Sequence, residues 1–116
     1  VTLKTLRNPS KDNYEIRLFT DELTFLGVYE QPDFAELEVI MYPSDTIIEL
    51  KSFKMYLYGY RNKIISYEHL INTIYDDLME KYKPKSLEVI MKTKVRGGIG
   101  SILKVNNEMR NVNEQK

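Results

Sequence analysis

The hydrophobic period of this chain changes twice, and that sequence of periods limits the fold more than any other feature. Apolar residues recur at every second position up to Tyr42, follow a helical spacing between Ile48 and Tyr82, and alternate again from Ser86. Period two marks strands with one buried face, and a period of about 3.6 marks amphipathic helices. In the first strand Tyr14, Ile16 and Leu18 alternate with Glu15, Arg17 and Phe19, and the polar pair Asp21-Glu22 is expected to interrupt it. A second strand over about 34–42 sets Ala35, Leu37, Val39 and Met41 opposite Glu36, Glu38 and Ile40. Pro43-Ser44-Asp45 ends it by turn chemistry.

Leu50, Phe53, Leu57 and Tyr60 then form one stripe of a helix expected from about Ile48 to Arg61. Ser66 is a plausible N-cap for a second helix, with Glu68 in the first turn where the macrodipole favours an acid. Its core face is Leu70, Ile71, Ile74, Tyr75, Leu78, Met79 and Tyr82, and the residue before Pro84 is its expected stop. Strands are expected over Ser86–Val95 and Ile99–Val105, joined by a turn at Gly97-Gly98. The element order is ββααββ: one α+β domain over 1–105, with two helices on one face of a four-stranded antiparallel sheet, and a polar, frayed tail over 106–116. Such a sheet has two unpaired edges, which favour closure with other subunits into an oligomeric barrel.

Composition removes several chemistries. Among 116 residues there is no Cys, so this chain offers no disulfide, thiolate metal site or Cys nucleophile. His69 is the only histidine, so without Cys the usual zinc sets cannot be assembled and no metal site is expected, and a Ser–His–acid triad would need His69 beside a positioned Ser although no Gly-x-Ser-x-Gly elbow is present. The content is 42% hydrophobic, enough to close one core, and no apolar run is long enough to span a bilayer. A cytoplasmic domain without membrane attachment is the expectation. The net charge of zero divides into ten acids against four bases in residues 1–50 and seven against thirteen in 51–116. That balance gives no support for direct nucleic-acid binding.

The most informative stretch runs from Glu49 to Asn62. On a helix Lys51, Lys54 and Tyr58 form a stripe beside the core face, and two lysines one turn apart suit a phosphate-bearing ligand, although exposed helix lysines are ordinary. Glu49-Leu50-Lys51-Ser52-Phe53-Lys54-Met55-Tyr56 resembles the signature of the QueF nitrile reductases, with Met55 the one departure. Gln31-Pro32-Asp33-Phe34, Arg61-Asn62 and Arg96-Gly97-Gly98-Ile99 agree with the same family in order and spacing. The resemblance covers about residues 15–100.

It implies the tunnelling fold, whose ββααββ subunits assemble into barrels with active sites at subunit interfaces. It also implies a purine-like ligand: QueF enzymes reduce the nitrile of 7-cyano-7-deazaguanine to an aminomethyl group with two NADPH, a step towards the tRNA base queuosine. By resemblance, Glu49, Lys51, Ser52, Lys54 and Tyr56 belong to NADPH binding, and Asp33 is the acid that protonates the nitrile nitrogen. Glu68 is the carboxylate that anchors the ring's N–H edge, with Tyr67 beside it in substrate binding. Two positions depart from the family. Its nucleophilic Cys, seven places before the Asp, falls on Leu26, and its His before the ring-binding Glu falls on Tyr67.

Leucine cannot attack a nitrile, so covalent catalysis through a thioimide is absent from this chain. Three readings follow from the resemblance. The chain is a divergent member acting on 7-cyano-7-deazaguanine or a close relative; or a non-catalytic ring-binding or structural subunit that pairs with a Cys-bearing partner; or a QueF-like enzyme of archaeosine-type tRNA modification.

Overall fold

The computed structural model describes the backbone of residues 2–114 and the side chains up to residue 111. Strands β1 (Thr5–Arg7), β2 (Ile16–Leu26), β3 (Pro32–Tyr42) and β4 (Thr46–Ile48) precede helices α1 (Leu50–Tyr58) and α2 (Tyr67–Tyr82). Strands β5 (Ser86–Thr93) and β6 (Ile102–Asn106) and helix α3 (Asn107–Glu114) follow. The main sheet is antiparallel in the order β2-β3-β5-β6. The β1 and β4 strands form a separate pair, Thr5 opposite Ile48 and Arg7 opposite Thr46.

One face of the main sheet makes the core. Ala35, Leu37, Val39 and Met41 from β3 join Leu87, Val89 and Met91 from β5 beneath Phe53, Leu57, Leu70, Ile71, Ile74 and Leu78 from α1 and α2. The α+β architecture read from the periods is therefore the one observed, with α3 and the β1–β4 pair added. Leu50 is the exception on the α1 stripe, since it is 61% exposed.

Strand β2 corrects the expected interruption at Asp21-Glu22. The pairing of β2 with β3 shifts register between Thr20 and Leu23, as in a β-bulge, and the strand continues to Leu26. Strict alternation from Leu18 would turn Glu22 towards the core; the shift exchanges the two faces, so that Leu23 and Phe25 are buried and Asp21 and Glu22 are exposed. The bulge thus carries a hydrophobic strand past two acids.

Helix α2 starts as the sequence indicates, with the Ser66 hydroxyl accepting from the His69 N–H at 3.1 Å. It ends at Lys83, in the left-handed region at φ 43°, whose N–H returns to Met79 O. The expected frayed tail is a helix over the described part, 107–114, while 115 and 116 lie outside the described residues. The Asn106 side chain accepts from the Met109 N–H at 2.9 Å, and Arg110 reaches Asp76 at 2.8 Å and Asn72 at 2.9 Å on α2. A polar tail with one good cap and one well-placed Arg can dock without an apolar face.

Candidate functional site

Asp33 stands at the start of β3 with its side chain 4% exposed. Two neighbours hold its carboxylate. Arg96 reaches back from the turn after β5: its Nη2 donates to Pro32 O at 2.8 Å and lies 3.2 Å from Asp33 Oδ1. Gln31 Nε2 donates to Asp33 Oδ2 at 3.1 Å. An ion at this depth loses most of its hydration, and a guanidinium and an amide on its two oxygens replace part of it.

The hairpin loop that carries Gln31 is built for this approach. Gly27 donates to Gln31 O and accepts from the Glu30 N–H, both at 2.7 Å, while Glu30 takes φ 63°. A Cβ on Gly27 would lie 2.0 Å from Gln31 Nε2 and 2.3 Å from Asp33 Oδ2. Only glycine lets the amide and the carboxylate pack against the backbone here. The other end of that amide is left over: Gln31 Oε1 is buried without a hydrogen-bond partner among the described residues.

Gln31, Asp33 and Arg96 share a cleft of about 310 Å³ with Tyr67, Thr93, Lys94, Ile99, Gly100 and Ser101. Tyr67, the first residue of α2, is fixed edge-on against Phe25 with ring centroids 5.4 Å apart. Partial burial raises the pKa of its hydroxyl, and the nearby Asp33 carboxylate adds to the rise, so Tyr67 is held as a donor. Glu68 follows in the first turn, exposed, its carboxylate without a hydrogen bond or ion pair among the described residues. Thr93 and Ser101 tie β5 to the strand that follows through paired hydroxyls 2.9 Å apart.

Of the three residues implied for acid and ring binding, Asp33 from the start of β3 and Tyr67 from the start of α2 line this cleft, while Glu68 follows Tyr67 on α2 and is not among the lining residues. Leu26 ends β2 opposite Pro32, and its backbone bonds Lys63 O and the Ile65 N–H at 3.0 and 2.9 Å. Gln31 and Arg96 sit in motifs quoted above but were not assigned to the site; the sequence signals were Gln two places before the acid and Arg before the glycine pair. Thr93 and Ser101 had no signal.

The five residues implied for NADPH do not share one cavity. Glu49 caps α1 by accepting from the Ser52 N–H at 2.7 Å, which holds its carboxyl below the usual range. The buried Ser52 donates to Glu49 O at 2.8 Å and accepts from the Lys4 N–H at 2.9 Å. Tyr56 donates to Asp77 Oδ2 across to α2 and shares a hydrogen bond with Tyr60 at 2.9 Å. Burial and the Asp77 bond push its pKa far up. Lys51 and Lys54 alone are exposed, and neither forms an ion pair among the described residues. Lys54 borders a mostly apolar groove of about 360 Å³ between β2 and α1, whereas Tyr56 borders a wider hollow of about 600 Å³ near Asp77 and Lys81. Size does not select the site: the smallest of the three cavities holds the buried acid and the unpaired acceptor.

The family model of the QueF-like proteins matches residues 32–112. Among curated relatives, an NADPH-dependent 7-cyano-7-deazaguanine reductase of Thermomicrobium roseum is 38% identical over 87% of this chain and 80% of its own length. The enzyme of that name from Anaeromyxobacter sp. (strain Fw109-5) is 37% identical over 87% of this chain and 84% of its length. The crystal structure of an apo archaeosine synthase QueF-Like superposes with a TM-score of 0.76 at 19% identity, covering 84% of this chain and 96% of that one, a likeness of fold. The shared tunnelling fold, the match over most of the chain and the identities above 30% settle its membership: this chain belongs to the QueF-like protein family.

Proposed function

We propose that the chain binds a 7-deazaguanine or similar purine-like ring at the Asp33–Tyr67–Glu68 cleft and performs no covalent nitrile chemistry of its own. The observation that carries this reading is the meeting of the held Asp33 carboxylate with Tyr67 in one cleft, with the exposed Glu68 next to Tyr67 in the first turn of α2. Glu68 suits the paired N–H donors of a guanine-like edge, because one carboxylate accepts two parallel bonds. Asp33 faces the ring's 7-substituent as the acid or acceptor, and Leu26 offers no thiolate there. Titration calorimetry with 7-deazaguanine and 7-cyano-7-deazaguanine tests it. Heat from the native chain that is lost in Glu68→Leu is expected; no heat from either ligand rejects the reading.

NADPH is the second half of the resemblance, and the side chains fit it only in part. Lys51 and Lys54 are exposed cations suited to a phosphate, whereas Glu49, Ser52 and Tyr56 are engaged in the cap of α1 and its contact with α2. NADPH, when bound, supplies hydride. The two lysines would hold its phosphate, and the other three would keep α1 in place. Fluorescence titration with NADPH is expected to show weak, salt-sensitive binding that Lys51→Ala with Lys54→Ala abolishes; binding unaffected by the double substitution removes the lysines from this role. Oxidation of NADPH in the presence of 7-cyano-7-deazaguanine is expected to be undetectable. Measurable turnover would restore the chain as a reductase with an unconventional route.

The assembly is a proposal too. Strands β2 and β6 are the edges of the main sheet, and Phe19 and Ile102 on them are 83% and 69% exposed, which supports a homo-oligomer whose sites lie at subunit interfaces. Sedimentation as a monomer at micromolar concentration would reject it.

A further inference from the structure

We infer that Gln31 makes this cleft select 7-deazaguanines whose 7-substituent carries N–H donors, an amine rather than a nitrile. The inference rests on the ring-binding reading above and deepens it. Its starting point is an imbalance in one side chain. Gln31 Nε2 donates to Asp33 Oδ2, while Oε1 is buried with no donor to accept from among the described residues. A buried amide normally satisfies both ends, and an orphaned acceptor keeps the cost of its lost hydration. Turning the amide over does not help, because the carbonyl oxygen would then face the Asp33 carboxylate, acceptor against acceptor.

What resolves the imbalance is a ligand that brings two donors. The first replaces Gln31 Nε2 at Asp33 Oδ2, since Arg96 takes the other oxygen. That releases the amide, and its Oε1 can swing to accept the second donor. An aminomethyl group carries its N–H donors on a single nitrogen and can serve both acceptors. A nitrile nitrogen has no hydrogen: placed here it faces a carboxylate and leaves Oε1 unpaired. The loss of the nucleophile points the same way, because Leu26 ends β2 one position from the Phe25–Asp33 pair and can form no covalent bond that would favour a nitrile. Gly27 leaves open the space in which the amide lies, since a Cβ there would meet Gln31 Nε2 at 2.0 Å.

The test compares two ligands by calorimetry at pH 7, 7-aminomethyl-7-deazaguanine and 7-cyano-7-deazaguanine, on the native chain and on Gln31→Leu. The amine is expected to bind at least about tenfold more tightly than the nitrile to the native chain, the worth of one well-made hydrogen bond in a buried site. In Gln31→Leu the ratio should fall at least about threefold through loss of amine affinity, yet stay above one because Asp33 still accepts from the amine. Equal or tighter binding of the nitrile by the native chain overturns the selectivity, as does a ratio that is unchanged in Gln31→Leu. Gln31→Met, closer in shape, takes the place of the leucine variant if circular dichroism shows that variant unfolded; should both unfold, the native ratio decides. Heat with neither ligand defeats the ring-binding reading itself, whereas heat with both at similar affinity defeats this inference alone.

Discussion

Two polar regions of this molecule carry family motifs, and they use their hydrogen-bonding groups in opposite ways. At the start of α1, Glu49, Ser52 and the Lys4 backbone satisfy one another, and at its far end Tyr56, Tyr60 and Asp77 do the same. At the cleft Gln31 Oε1 has no partner, and on α2 next to the cleft's Tyr67 the Glu68 carboxylate stands unpaired among the described residues. A closed network contributes to stability and has little left to offer a ligand; an open one costs stability and retains groups for recognition. Motif residues that look alike in sequence therefore differ in how much of their bonding capacity folding uses up.

The comparison breaks if the two regions respond alike to substitution. The largest effect expected is on binding: Glu68→Leu should weaken the ring ligand about 100-fold, since it removes two charge-assisted hydrogen bonds, yet leave the melting temperature unchanged because the carboxylate has no partner among the described residues. Calorimetry and a thermal melt of the same samples check both halves. Asp77→Ala should do the reverse. It removes the Asp77 acceptor from the half-buried Tyr56 hydroxyl, which keeps only the bond it shares with Tyr60, and should cost about 1–2 kcal/mol in urea unfolding, with ligand affinity within error of the native value. If Asp77→Ala instead weakened the ring ligand as much as it weakened the fold, the α1–α2 network would have to be counted as part of the site.

The next step down concerns Ser52, buried between α1 and the N-terminal segment. Ser52→Ala removes the bonds to Lys4 N and Glu49 O together and should cost about 1–2 kcal/mol, read as a lower urea midpoint at unchanged slope. A cofactor role for this hydroxyl would show as a loss of NADPH affinity larger than the loss of stability.

How much of this was legible in the sequence depended on the range of the interaction. The periods identify β3, β5 and α2, and the Ser66 cap with its core stripe places α2 closely, because each is set by residues within a few positions. Strand β2 was readable in principle, since Leu23 and Phe25 are out of phase with Leu18, and a phase change in a continuing apolar strand signals a bulge. The β1 and β4 strands are three residues each and carry no period; only pairing with each other across 40 residues of chain makes them strands. Helix α3 was read as a tail because its docking depends on Arg110 meeting Asp76 and Asn72. At the site, Asp33 and Glu68 came from family resemblance alone. That Arg96 crosses 64 positions to reach Pro32 and Asp33, and that half of the Gln31 amide is orphaned, are facts of tertiary packing with no local trace.

The smallest effect expected separates the regions by pH. Burial raises Tyr56 far above its ordinary value of 10.0, raises Tyr60 as well, and pushes Tyr82 up to about 12. Below pH 10 all three are protonated in the folded and unfolded chain and add no pH dependence. Above it, the unfolded chain loses these protons while the folded chain keeps them, so the folded state binds more protons and stability falls as pH rises towards 12. Urea unfolding at pH 8 to 11 should therefore show a declining midpoint at the alkaline end. In Tyr56→Phe the midpoint at pH 8 should drop, by about 1 kcal/mol for the lost hydrogen bond, and the alkaline decline should be shallower. Tyr67 belongs to the open cleft, and its shift comes from partial burial and from Asp33. Tyr67→Phe should accordingly leave the midpoint at pH 8 almost unchanged. A decline that stays as steep in Tyr56→Phe as in the native chain would place the alkaline sensitivity outside the α1–α2 network and remove the electrostatic half of the contrast between the two regions.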